Sequence, residues 1–363
     1  MYFYERGFKL RFVILALSNL ASIATIILSR SIQGFLVYAT TISVALIICV
    51  RRKSRKISII FTALYAIVGI FIGTTLFGVG LLGNLLSSQT FSIRLAYWRA
   101  AIRMILERPI TGVGMDGFGS FYRQYRDDLG IQISSGQLTD SPHNVFLDLF
   151  SSGGIPLGVL HILIFLVPCF VWLVRIYRGH NPNFILSLVL AIHFGFIVQS
   201  LVSPFQIGIV IWGWLSSAVL MTSRNDVIES PQLHQDKKNL GVSKIFAFSK
   251  VAMLGSVFFI ALAPLVADAR FLSALNSKSG AQVFQVATAW PHDSRRFVIA
   301  VQAFAGNGYG DIALELAKLG VSYNPRLYEM WNEILINEKS TAKMKSEARV
   351  RLKQLDPTFI ENP

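Results

Sequence analysis

Charge is scarce in this sequence. Only 15% of its 363 residues are charged and 53% are hydrophobic, whereas a soluble domain carries roughly a quarter of charged residues. That balance excludes a water-soluble globular enzyme. Cysteine is nearly absent as well: Cys49 and Cys169 are the only two. Both lie in apolar runs, so neither a disulfide framework nor a CxxC metal or redox site is available. No two histidines show zinc spacing and Asp127-Asp128 is a weak metal signal, so no metal and no cofactor is expected. No serine sits in a Gly-x-Ser-x-Gly elbow. The glycine run from Gly112 to Gly119 lacks the lysine and the strand-to-helix setting of a phosphate-cradling loop, so it reads as a turn. A metal-dependent transferase using sugar nucleotides finds little support in these absences.

What is present is a series of apolar stretches long enough to cross ~30 Å of hydrocarbon. They run from Phe12 to Leu28, Phe35 to Val50, Ile57 to Phe77, Ile155 to Val174, Phe184 to Val202, Ile207 to Met221 and Ile245 to Val266. The expected fold is therefore all-α, a polytopic membrane protein of about seven transmembrane helices. A cleavable signal peptide competes for the first stretch, because Arg6, Lys9 and Arg11 precede it, but the run is long for that role and further spans follow. The net charge of +14 raises nucleic acid as a partner, yet its placement follows the positive-inside rule instead. Arg51, Arg52, Lys53, Arg55 and Lys56 fill one loop, Arg175 and Arg178 another, and Arg224, Lys237, Lys238 and Lys244 a third. These loops are expected in the cytoplasm. Arg30, the segment from Gly78 to Gly154 and everything after Val266 are then expected outside the bacterial cytoplasmic membrane. No acid or base interrupts the middle of a span, which argues against an ion-coupled transporter.

The domain organisation expected is a membrane domain over 1–222 with an external loop 78–154, a cytoplasmic linker over 223–244, a span over 245–266 and an external helical domain over 267–363. In the loop, Ser92 is placed to cap a helix running to about Arg108, with Ile93, Tyr97, Ala101 and Met104 on one face and Arg99 and Arg103 on another. From Asp268 onward the composition is that of a soluble domain. Pro291, Pro325 and Pro357 close similar phrases at spacings close to the tetratricopeptide period of 34, and Ala313 and Ala317 supply small residues where helices could pack. The alternative is an ordinary helical domain with coincidental prolines.

The external loop has six arginines, Arg94, Arg99, Arg103, Arg108, Arg123 and Arg126, and no lysine. A guanidinium offers a planar fork to phosphate oxygens and stays charged when partly desolvated, as pyrophosphate binding requires. The competing reading pairs them with the loop's acids, and for Arg99, Arg103 and Arg108 a structural role is preferred. His143 is the loop's single histidine, flanked by Pro142 and Asn144. An imidazole there could exchange protons near neutral pH, with Asn144 orienting it or a substrate hydroxyl, although lone histidines are often structural. His161 and His193 are assigned to packing; His180, His234 and His292 are read as solvated.

Taken together, Ser92-Ile-Arg-Leu-Ala-Tyr-Trp-Arg-Ala-Ala, Arg108-Pro-Ile-Thr-Gly-Val-Gly, His143-Asn-Val-Phe-Leu-Asp and Ser152-Gly-Gly-Ile-Pro-Leu-Gly resemble the signature region of the O-antigen ligase and polymerase family. Ser29-Arg30-Ser31 is similar to that family's upstream Ser-Arg motif. The resemblance implies metal-independent, inverting transfer of a glycan from a polyprenyl pyrophosphate carrier to an acceptor hydroxyl on a glycan, lipid or protein. It assigns Arg94 and Arg30 to the donor pyrophosphate and His143 to the acceptor, with Asn144 in support. A helical-repeat tail is similar to those of family members such as protein O-oligosaccharyltransferases. Family members usually have ten or more spans, so a separate N-terminal half is a possible partner. The alternative function is a truncated, inactive relative acting as a membrane scaffold through its repeat domain.

Overall fold

The computed structural model describes residues 2–76, 89–134, 138–180, 182–204, 206–223 and 240–361. Among the described residues every regular element is a helix, and the chain divides into two compact units, Met1–Val227 and Ile228–Pro363.

The first unit opens with three long helices, α1 (Tyr2–Leu28), α2 (Ile32–Lys53) and α3 (Arg55–Leu76). Ser31 caps α2, its Oγ accepting the Gly34 N–H, and Arg51, Arg52 and Lys53 close it where the helix dipole favours cations. Then come α4 (Gln89–Glu107), the short α5 (Phe118–Tyr125) and α6 (Asp128–Ser134), and the apolar α7 (Val145–Tyr177), α8 (Phe184–Val202) and α9 (Ile207–Thr222). Asn144 and Asn183 cap α7 and α8.

Among the described residues, four helices, Ile32–Lys53, Val145–Tyr177, Phe184–Val202 and Gly255–Asn276, are long and apolar enough to cross a membrane, with shorter apolar helices at Ala16–Leu28 and Ile207–Thr222. The fifth expected stretch matches its helix end to end. The expected apolar run Ile245 to Val266 lies inside one helix, Leu240–Asn276, which continues without a break through Asp268 and Arg270. Phe77, the end of the third stretch, lies outside the described residues, as do His234 and the start of the segment from Gly78. Ser92 caps nothing: α4 begins three residues earlier, so Ser92 sits inside it. The face read from periodicity holds, with Tyr97, Ala101 and Met104 buried and Ile93 packed against them.

Apolar helices in lipid gain little from burying more apolar surface, so polar contacts and close backbone approach fix their packing. Trp172 of α7 donates its indole N–H to the Leu220 carbonyl of α9 at 2.7 Å. His193 of α8 is fully buried between Ser216 Oγ, 2.8 Å, and the Phe165 carbonyl, 2.9 Å. Arg51 reaches the Ile176 carbonyl and Arg52 the Pro182 carbonyl and Ser187. The basic residues that suggested a cytoplasmic face thus also terminate helices.

The second unit comprises α10 (Leu240–Asn276), α11 (Gly280–Ala287), α12 (Ser294–Gly306), α13 (Gly310–Tyr323), α14 (Tyr328–Ile336) and α15 (Ala342–Leu355). Its core runs from Phe271 through Phe297, Ala313, Ala317, Met330 and Leu352. The two alanines are fully buried, as expected of small residues at a helix crossing. Asp293 and Thr341 cap α12 and α15 with their side chains.

Candidate functional site

Glycine decides the geometry around the site. At Gly154 the backbone takes φ 74° and ψ −178°, a region that side chains other than hydrogen essentially forbid. Helix α7 therefore reverses there. The Gly158 position faces the Phe150 ring, and the rings of Phe146 and His161 lie 5.7 Å apart, although on a straight helix the latter pair would be roughly 22 Å apart. The first arm, from Val145, leans back along the second, and the apolar span proper begins after the reversal.

A second loop locks onto this bend through main-chain bonds. The Ile155 N–H donates to the Pro109 carbonyl at 2.7 Å, Val113 N–H to Ser151 at 2.8 Å and Gly114 N–H to Ser152 at 2.9 Å. Gly112, with φ 64°, passes so close that a Cβ would fall 2.4 Å from the Ser152 carbonyl. The Thr111-to-Gly117 stretch is thus a turn, as read from sequence; Phe118 and Gly119 already belong to α5. The phrases Arg108-Pro-Ile-Thr-Gly-Val-Gly and Ser152-Gly-Gly-Ile-Pro, separate in sequence, form one interlocked bend.

Helix α4 holds the turn that enters the first arm. Trp98 donates its indole N–H to the Pro142 carbonyl at 2.9 Å, and the Tyr97 ring stacks on the His143 imidazole with centroids 6.0 Å apart and an interplanar angle of 21°. His143 has φ 55°, unusual for a side-chain-bearing residue. Its N–H donates to Ser141 Oγ at 3.1 Å, and the Asn144 side-chain oxygen accepts Leu147 N–H to start the next helix.

Arg94, one turn before Trp98, shares this face and completes the constellation. Burial lowers its basicity. Burial, and then the charge of Arg94, hold the His143 imidazole below its ordinary value, so it is neutral at neutral pH and able to accept a proton. Burial pushes the Tyr97 phenol upward, keeping it uncharged.

The helix that carries Arg94 thus also holds the turn that bears His143. Arg30 lies in the turn between α1 and α2 with φ 50° and is exposed. Among the described residues no hydrogen bond, ion pair or ring contact joins it to Arg94 or His143. One turn away, a cavity of about 460 Å³ opens among Ile26, Gly34, Val37, Gln199 and Trp212. Asn144 serves as a helix cap, so its oxygen is committed. Arg99 grips Asp127 at 2.6 Å, with Arg103 at 4.0 Å, and Arg108 lies 4.9 Å over the Phe121 ring, the structural roles preferred for them. His180 and His292 are exposed. Tyr97 and Trp98 were not singled out as site residues; the signal available was their position three and four residues after Arg94. Among the described residues no group of three or more histidines, cysteines or acids could hold a metal ion.

A family model described as O-antigen ligase matches residues 17–162, which include Arg30, Arg94 and His143. No curated protein and no solved structure matches the chain.

Proposed function

Given that residues 17–162 belong to the O-antigen ligase family, we propose that this membrane enzyme transfers a glycan from a polyprenyl pyrophosphate carrier to an acceptor hydroxyl during cell-surface polysaccharide or glycoconjugate synthesis. The observation that supports the reading is that α4, which bears the partly buried guanidinium of Arg94, also holds the turn of His143 through Tyr97 and Trp98. His143 takes the proton of the acceptor hydroxyl. The acceptor oxygen bonds to the anomeric carbon as the bond from that carbon to the pyrophosphate oxygen breaks, with inversion. The electron pair leaves with the carrier pyrophosphate, where negative charge grows as the transition state is reached. A guanidinium fixed beforehand in a water-poor setting stabilises that growing charge selectively.

Arg30 provides a second positive charge for the pyrophosphate at the end of α1, and the apolar cavity beneath it accepts part of the isoprenoid chain. The active face and the second unit lie on the outer side of the cytoplasmic membrane. The second unit is a tetratricopeptide-like domain, supported by the offsets between successive helix starts, Ser294 to Tyr328 and Gly310 to Ala342, and it presents a surface for a macromolecular acceptor.

The test is transfer by variants at equal membrane abundance. Arg94→Lys restores charge without the bidentate fork and should remain severely impaired, with Arg30→Lys similar. His143→Ala should lose on the order of 10² to 10⁴ in rate. Near-normal transfer by His143→Ala or Arg94→Lys would refute the assignment. In that case the independent core of the second unit would favour a scaffold instead.

A further inference from the structure

The turn bearing His143 adopts a backbone conformation it would not choose alone. A positive φ is unfavourable for a histidine and persists where surrounding contacts over-determine it. Within the turn, Thr139 Oγ1 donates to the Ser141 carbonyl at 2.7 Å, and Ser141 Oγ accepts the His143 N–H at 3.1 Å. From outside, the contact is α4: Trp98 reaches the carbonyl of Pro142, the residue immediately before His143, and Tyr97 covers the imidazole face. Pro142 is buried and Trp98 half-buried, so this bond is shielded from competing water.

We propose that Trp98 is a positioning residue for His143: its indole N–H, held on the Pro142 carbonyl, together with the stacked Tyr97 ring, sets where the imidazole stands relative to Arg94 on the same helix. Arg94, Tyr97 and Trp98 occupy positions i, i+3 and i+4, and a helix rises only 1.5 Å per residue. One rigid turn of α4 thus carries both the group that meets the leaving pyrophosphate and the clamp on the group that meets the acceptor hydroxyl. The helix acts as a ruler between the two ends of the reaction. This inference rests on the proposed transfer reaction.

Among the described residues, Arg94 and Tyr97 of α4 act on the imidazole; on its own turn, the Asp140 carboxylate lies against Gly119 of α5. Releasing the turn moves the imidazole away from Arg94 and toward water, and both changes raise its affinity for a proton. If the neutral imidazole is the active form, the acid limb of the pH–rate profile then shifts to higher pH. Binding of the donor, which depends on Arg94, stays as it was.

The experiment uses the full chain in membranes containing its host's lipid-pyrophosphate-linked glycan donor, with each variant at wild-type abundance. Trp98→Phe keeps an aromatic ring and removes the N–H. It should lower kcat by roughly 10- to 10²-fold, the scale of a small misplacement of a reacting group, leave the donor KM within about twofold of wild type because Arg94 is untouched, and move the acid limb upward. Ser141→Ala, which alters only the turn, should act in the same direction more weakly. In a His143→Ala background, Trp98→Phe should cost nothing further, since its effect runs through the missing imidazole. An unshifted acid limb, or an equal loss with and without His143, would overturn the positioning role while leaving the transfer reaction standing. Wild-type transfer by His143→Ala would overturn both.

Discussion

Replacing Gly154 by alanine is the sharpest test of the interlocked bend. Two penalties arise at the same point. The backbone conformation, φ 74° with ψ −178°, is open essentially to glycine alone and costs a side-chain-bearing residue about 1–3 kcal/mol. The added Cβ would also fall 2.3 Å from the Ile110 carbonyl oxygen and 2.8 Å from that of Pro109. Both contacts are backbone, so no rotamer change relieves them, and the loop must withdraw. Withdrawal breaks the 2.7 Å bond from Ile155 N–H to Pro109 and loosens the two at Ser151 and Ser152, each worth about 1 kcal/mol net. Together the loss is on the order of 3 to 5 kcal/mol, enough to lower an apparent melting temperature by roughly 10 °C. The assay is thermal unfolding of the purified full chain in detergent micelles, beside Gly69→Ala. Gly69 has nothing within 4 Å of its added Cβ and lies in a helix, so alanine there should be neutral or stabilise by up to about 1 kcal/mol. A Gly154→Ala protein melting with the wild type would refute the reversal at Gly154.

Two further outcomes are expected. Burial raises the Asp127 carboxyl, but its bonds to Arg99 and to the Gly130 N–H outweigh that and leave it below its ordinary value; because Arg99 is 37% exposed, Asp127→Asn should cost only about 1 kcal/mol at neutral pH. A carboxyl depressed in the folded state contributes stability present above its unfolded pKa of about 4 and lost as pH falls through the folded value. The difference in unfolding free energy between wild type and variant should therefore close at acid pH, and a difference unchanged at pH ~3 would contradict the pairing. For orientation, Met115 is 69% exposed and Ser322 is exposed; after replacement of Cys49 and Cys169, a cysteine at either position should react with an impermeant maleimide in intact cells. Labelling only after permeabilisation would place the site on the cytoplasmic side.

Much of the helical architecture was legible because it depends on local composition. The stretch Phe184 to Val202 is uniformly apolar, and the helix fills it end to end. The face of α4 bearing Tyr97, Ala101 and Met104 was legible because burial of a helix follows its period. The cap at Ser92 was misread because capping motifs mark a start only where no preceding residues continue the helix, and Gln89, Thr90 and Phe91 do. The helix holding the last apolar run extends beyond it, since hydropathy falls at Asp268 while helix geometry tolerates charges there.

The sequence by itself determined that this is a helical membrane protein, which stretches are apolar, that the loop's positive charges are all guanidinium, and that the stretches carrying His143, Arg94 and Arg30 resemble a family signature. Those are properties of residue type and short-range order. Tertiary structure alone decided which of them meet. His143 and Arg94 are 49 positions apart in the chain, and the helix of one is tied to the turn of the other because Trp98 takes a carbonyl from that turn and Gly154 lets the first arm fold back. Arg99 and Arg108, chemically identical to Arg94, went instead to Asp127 and Phe121. Nothing in a guanidinium states its partner; the backbone around it does, through contacts between residues that no local pattern connects.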